Sequence, residues 1–255
     1  MIKYGLKLWS NNIHLIDEAL KKYHAGKFDF VEVYSNSQVE PDYNKLEKLK
    51  IIPVLGVHMG HLDKAGFHTF YLTEDQKKPW RQTVDLADFF ATPNIIVHPA
   101  AEHTSKTFWE NLEKIDDGRI IIETMPAKSS EGGITRNFGT ALADFREIKE
   151  KKEMCFDVPK TIKAAVFHRV DYKEYLAQAL EIIQPEYFHI SGCNLTDPMD
   201  EHGNIYEAGY EVVWVKTFLE NYAKDRDIYL VFETPKIGEN LENDMKNIDY
   251  FKAIV

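Results

Sequence analysis

Three histidines and three carboxylates stand at or beside the ends of short apolar runs, and their kinds point to one chemistry. His58 closes "IIPVLGVH", His98 closes "NIIVH", Glu123 closes "RIIIE", Asp157 closes "EMCFD" and Glu233 closes "IYLVFE", while His189 sits near the end of "YFHIS". Imidazole nitrogens and carboxylate oxygens are the ordinary donors to divalent cations. Singly, each has a plain explanation: a strand-end histidine is commonly hydrogen-bonded in the core, and a strand-end acid commonly caps the next helix. Jointly, three imidazoles and three carboxylates at one rim need compensation, because an unpaired buried charge is costly and cations are the usual way to hold acids together. A seventh and an eighth candidate, Asp200 and His202, lie in "DPMDEHGN", a stretch that alone reads as a solvated turn. One ion takes about four to six protein or water ligands. Eight candidates therefore predict two or more ions.

These residues need elements that bring them together. Eight runs rich in branched and aromatic residues read as strands: the six above, with "YGLKLW" from Tyr4 and "FDFVEVY" from Phe28. Segments of helical spacing separate most of them. In "IHLIDEALKKYHAG", Ile13, Ile16, Leu20 and Tyr23 share a face and Gly26 supplies a stop. Strand and helix alternate at a spacing of about 30 residues, with no linker or low-complexity tract, and no GxGxxG follows the first strand. The pattern predicts an α/β fold, a single (β/α)8 TIM barrel over residues 1–255. In such barrels the active site gathers at the carboxyl ends of the strands, where these candidates fall.

Composition narrows the partners. The 255 residues carry a formal net charge of −10, which argues against a surface built to coat nucleic acid without excluding a local basic groove. Cys155 and Cys193 are too few for a disulfide framework and read as buried thiols in a reducing compartment. No apolar run reaches membrane-span length and the first residues, "MIKYGLKLWSNN", lack the pattern of a signal peptide. The expectation is a cytoplasmic protein with no membrane association, and nothing points to a protein partner.

The order of the candidate ligands resembles the xylose isomerase-like TIM-barrel superfamily and, within it, the endonuclease IV branch (AP endonuclease family 2). The resemblance runs along nearly the whole chain, through "VHMG", "VHPA", "IETMPAKSS", "FDVPK", "FHISGCN", "DEHGNIYEAG" and "FETP". It implies one ion on His58, His98 and Glu123, with Glu123 bridging to a second on Asp157, His189 and Glu233. A third would rest on Asp200 and His202. That family completes the third site with a histidine three residues after the strand-six aspartate, where this chain has Lys160. Lys160 reads either as a loop lysine with a solvated head or as an ammonium replacing a cation's charge and clamping an anion. Zinc suits the histidine content, with manganese second.

Three functions follow as expectations. The first is a metal-dependent hydrolase resembling endonuclease IV that cleaves a phosphate ester, abasic DNA or a sugar phosphate, with Glu123, Glu233 and Lys160 as catalytic residues and Lys160 and Arg136 as substrate contacts. The second is a sugar or sugar-phosphate isomerase or epimerase with one divalent ion on Glu123, Asp157, His189 and Glu233. Glu32, in "FVEVY", is of a kind common in such isomerases, although an interior ion pair explains it as well. The third is an inactive metal-binding barrel. Lys128 is a further candidate anion contact. Trp9, Phe67, Phe70 and Phe167 are candidate pocket walls, and His61 and His168 stand out among the remaining histidines because their loops follow ligand-bearing strands.

Overall fold

The structure is a computed structural model that describes residues 1–60, 62–63, 66–67, 74–99, 105–128 and 137–255. Eight parallel strands close into a barrel in chain order: Ile2–Trp9, Phe30–Tyr34, Val54–His58, Ile95–Val97, Ile120–Glu123, Met154–Asp157, Tyr187–Ile190 and Ile228–Phe232. The first strand pairs with the last, Ile2 opposite Ile228, and with the second, Gly5 opposite Phe30. This is the (β/α)8 barrel that the alternation of elements predicts. The fourth and eighth strands stop one residue short of His98 and Glu233, and His189 lies one residue inside the seventh.

Side chains alternate between the two faces of a strand, so a barrel interior is filled by every second residue. A small apolar cluster of Phe30, Ile96, Ile121, Cys155, Tyr187 and Val231 packs together. Two residues further along the same strands come Glu32, His98, Glu123, Asp157, His189 and Glu233. The period of two thus stacks a polar layer at the carboxyl end upon an apolar floor. Gly5 belongs to the same series: a Cβ there would meet the Phe30 ring at 2.4 Å, so only glycine lets that ring fill the floor. The larger core lies between strands and helices, where Leu6, Leu8, Val31, Val33, Phe156, Phe188 and Leu230 meet helical residues such as Leu86, Ile162, Leu176 and Leu219. Each fully buried aliphatic side chain contributes on the order of 1.5–3 kcal/mol.

The first crossover helix, Ile16–His24, opens with Asp17 and Glu18, closes with basic residues, and ends before Gly26 at φ +70°, as its sequence signals predict. One helix has no counterpart in the periodicity reading. Val158–His168 begins directly after the sixth strand. Its first eight residues are all buried, Lys160, Thr161 and Lys163 among them, so its polar residues do not mark a solvent face, and Pro159 reads as a break although the first turn tolerates proline. Asp157 is its N-cap, its carboxylate accepting from the Lys160 N–H at 2.7 Å. Lys160 therefore stands on the first turn of a helix, which corrects the loop placement. Among the described residues no helix is long and apolar enough to cross a membrane. Cys155 and Cys193 are buried free thiols.

Candidate metal centre

Glu123 is fully buried at the end of the fifth strand, and its two oxygens face different partners. Oε2 lies 3.2 Å from His58 Nε2 and 2.5 Å from His98 Nε2. Oε1 lies 2.6 Å from His189 Nδ1 and 2.8 Å from Lys160 Nζ. His189 Nδ1 is also 3.1 Å from Glu233 Oε1 and 4.0 Å from Asp157 Oδ2. One donor atom each from His58, Glu123, His189 and Glu233 fall within 4.8 Å of one another. Three of the other five strand-end candidates thus meet Glu123 directly, and Asp157 and Glu233 join them through His189.

Hydrogen bonds to the far sides of the rings fix how the imidazoles present themselves. His58 Nδ1–H donates to the Met59 carbonyl at 2.9 Å, which leaves Nε2 as a lone pair facing the Glu123 carboxylate. Two acceptors at that separation need either a proton or a cation between them, and ligands held about 2.0–2.2 Å from one ion sit at such distances from each other. On the other side, His189 Nε2 meets Glu32 Oε2 at 2.8 Å while Nδ1 faces Glu123 and Glu233. A carboxylate behind a histidine is the usual support of a metal-binding imidazole, fixing its tautomer and raising its basicity. The donor set therefore fits divalent ions. Replacing Glu32 with glutamine is expected to weaken metal binding by about 10–100-fold, measured by competition with a chromophoric chelator; unchanged affinity would remove Glu32 from that role.

The ionisation pattern is that of a site short of positive charge. Burial alone would raise Glu123, yet the Lys160 ammonium and the imidazoles of His189 and His98 hold it well below the usual carboxylate range. Glu32 is brought to about 2 against its burial by His189 and Lys7. Asp157 goes the other way, pushed up to about 7 by burial, with Glu123 and Glu233 adding to the push against Lys160. Burial and then Lys160 press His98 down to about 4. Lys160 itself is raised well above its ordinary value because Glu123 and Asp157 outweigh the cost of burial.

Two lysines answer part of that need. Lys160 is 2% exposed, its Nζ also 3.3 Å from Asp157 Oδ2 and 3.4 Å from His98 Nε2, so its head is not solvated. Lys7, on the first strand directly opposite Glu32, pairs with Glu32 Oε1 at 3.0 Å and with Glu233 Oε1. Five carboxylates, Glu32, Glu123, Asp157, Asp200 and Glu233, surround these two ammonium groups. The sequence reading left Lys7 out of the site. The signal was there, since Gly5, Lys7 and Trp9 repeat the inward period of two seen in the other strands.

Asp200 and His202 lie at the mouth. His202 Nε2 is 3.6 Å from Asp200 Oδ1 and its Nδ1 is 3.3 Å from Glu233 Oε2, so the loop pair reaches the strand-end cluster through Glu233. The loop is pinned at its base, where Gly192 and Gly203 exchange backbone hydrogen bonds of 2.8 and 2.7 Å. A Cβ on Gly192 would lie 2.0 Å from the Asn204 carbonyl oxygen, so that approach requires glycine. Lys163, one turn after Lys160 and fully buried, ties the loop from beneath through Glu201 Oε2 at 3.0 Å and the Asp197 carbonyl at 3.2 Å. The Asp200 N–H donates to the Lys128 carbonyl at 3.0 Å, so Lys128 contributes backbone here. Arg136, His61, His68, His103 and Phe70 lie outside the described residues. His168 ends its helix stacked on Tyr175, and Phe167 rests beside it, neither ring lining the cavity of about 450 Å³ bounded by His58, His98, Lys160, Asp200, His202 and Glu233.

No protein-family model matches the chain. It is 25% identical over 178 residues to a "Probable endonuclease 4" from Shouchella clausii (strain KSM-K16), an alignment covering 63% of this chain and 60% of the relative. The chain thus spans about 60% of the length of the curated relatives it matches. Among solved structures, endonuclease IV from Thermus thermophilus superposes with a TM-score of 0.68 at 15% identity, covering 98% of each chain. A xylose isomerase-like protein from Rhodospirillum rubrum gives 0.70 at 12%, covering 100% of this chain and 98% of that one. The 3-keto-D-glucoside 4-epimerase from E. coli gives 0.62 at 13%, covering 99% of each. The chain thus shares its barrel fold with these structures and is similar in sequence to endonuclease 4.

Proposed function

We propose that this chain is a metal-dependent phosphoesterase of endonuclease IV type, working with two divalent ions, zinc before manganese, and with the Lys160 ammonium where a third cation would otherwise be needed. The observation that carries the reading is the division of Glu123: Oε2 faces His58 and His98, and Oε1 faces the side of His189, Glu233 and Asp157. A carboxylate so divided suits a bridge between two ions. Bound divalent ions would supply Lewis-acid charge to the phosphoryl oxygens and lower the pKa of an attacking water.

The chain's own residues supply the remainder. Glu32 orients His189, the Met59 carbonyl orients His58, and Asp157 caps the helix that delivers Lys160 to Glu123. Lys160 places a permanent positive charge beside Asp200 and His202 on the wall of the same cavity, where it can meet a phosphoryl or departing oxygen. Lys7 holds Glu233 and Glu32 in place across the barrel interior. His202, raised above its ordinary value by Asp200 against its burial, can hold a proton at the mouth. The likenesses to endonuclease IV in sequence and in fold support this reading.

A second reading, a sugar isomerase or epimerase with one ion, is favoured by the single four-residue donor group among the described residues, His58, Glu123, His189 and Glu233, and by the likeness to an epimerase barrel. One experiment separates the two. Purified protein is assayed for cleavage of abasic duplex and of small phosphate esters, with and without chelator, beside an assay for aldose and ketose interconversion. Chelator-sensitive ester cleavage is expected; aldose or ketose turnover without cleavage would overturn the phosphoesterase in favour of the isomerase.

A further inference from the structure

A buried lysine outside the donor cluster holds the loop that carries Asp200 and His202. Lys163 lies one turn after Lys160 on the helix Val158–His168 and is fully buried, where a lysine is seldom found unless its charge is met. Its Nζ donates to the Asp197 carbonyl at 3.2 Å and lies 3.0 Å from Glu201 Oε2 and 3.6 Å from Asp197 Oδ1. These partners all belong to one loop. Glu201 Oε2 also accepts from the backbone and side-chain N–H groups of Asn194, at 2.9 and 2.6 Å, so a single oxygen gathers three donors.

Glu201 stands between Asp200 and His202, and that spacing decides which way the pair faces. Residues 199–203 form no turn and run between two backbone bridges, Met199 with Lys128 and Gly203 with Gly192. Neighbouring side chains of an extended segment point to opposite sides. With Glu201 drawn to Lys163, Asp200 and His202 are turned to the cavity, which both line while Glu201 does not. The bridges hold the ends of the segment, and the ion pair selects the face it presents. Folding alone does not require that pair, since an apolar side chain of similar length could fill the place of Lys163 without the cost of burying a charge.

We propose that Lys163 is a positioning residue of the site, which acts through Glu201 to aim Asp200 and His202 at the cavity. The aim of the loop does not rest on the phosphoesterase reading; its consequence for turnover does. Hydrogen exchange of the zinc-loaded full chain, resolved by segment, tests the first. In Lys163→Met, residues 193–204 should exchange about tenfold faster or more, the scale of losing a charged hydrogen bond, while the barrel strands exchange as in wild type. The double variant Lys163→Met, Glu201→Met removes both charges and should melt near wild type, as apolar replacements of ion pairs often do, yet keep the fast loop. Turnover of a small phosphate ester tests the second. Lys163→Met should lower kcat by about tenfold or more with metal content unchanged. Adding His202→Ala should lower it little further, because the two changes act through one group.

The role is overturned if residues 193–204 exchange at the wild-type rate in folded Lys163→Met, if the whole barrel exchanges faster in step with the loop, or if the double variant regains wild-type protection. It is likewise overturned if the effects of Lys163→Met and His202→Ala on turnover multiply. If Lys163→Met does not fold, Glu201→Gln, on the partner whose side chain is 39% exposed, carries the same comparison: wild-type protection of the loop there overturns the role. The two readings fail separately. A loop loosened in the variants of a protein that cleaves no ester overturns the phosphoesterase alone, and ester cleavage with a loop indifferent to Lys163 overturns the positioning role alone.

Discussion

Glu123→Gln is expected to lower phosphoester turnover by about three orders of magnitude or more, on the scale of losing a central electrostatic group, and to lower the bound metal with it. The amide keeps the shape of the side chain but gives up one acceptor and the charge. In this barrel that single group is shared by His58 and His98 on one oxygen and by His189 and Lys160 on the other, so no neighbour can replace it. The check is elemental analysis of the purified variant beside its turnover. Full metal content with lost turnover would remove the bridging role and leave Glu123 as an acid–base group only.

Lys160→Met is expected to cost the metal-free protein about 3–5 kcal/mol, the usual penalty for stranding a buried charge, with the melting temperature falling by about 2–4 °C for each kcal/mol. The reason is local. Lys160 Nζ lies 2.8 Å from Glu123 and 3.3 Å from Asp157, and without it these buried carboxylates lose a neighbouring positive charge. A bound divalent ion stabilises by mass action, so saturating metal should recover much of the loss. Thermal melts of wild type and variant, in chelator and in metal, measure both halves. An equal deficit in the two conditions would mean that the lysine supports packing and does not stand in for a cation.

Much of this was legible because a parallel barrel ties sequence to space by simple rules. Each strand ends at the same rim, so His58, His98, Glu123, Asp157, His189 and Glu233 could be grouped from their positions after apolar runs before any contact was known. What escaped did so for physical reasons. The helix Val158–His168 buries Lys160, Thr161 and Lys163 together with its apolar residues and carries a proline in its first turn, which is why Lys160 reads as a loop residue in the sequence. Lys7 lies inside an apolar run and draws no attention there, because a lysine is rarely expected to point into a barrel. The Glu32–His189 contact joins residues 157 positions apart and follows only from closure of the barrel. The pairings of Glu123 with both sides of the site likewise depend on rotamers that strand order does not set.

The central claim is that two divalent ions share Glu123 and that Lys160 stands in place of a third. Anomalous diffraction from crystals grown with zinc tests it most directly. Two metal peaks are expected, one beside His58 and His98 and the other beside His189 and Glu233, with none held by Asp200 and His202. A single peak, or a third peak on the Asp200 and His202 loop, would contradict it.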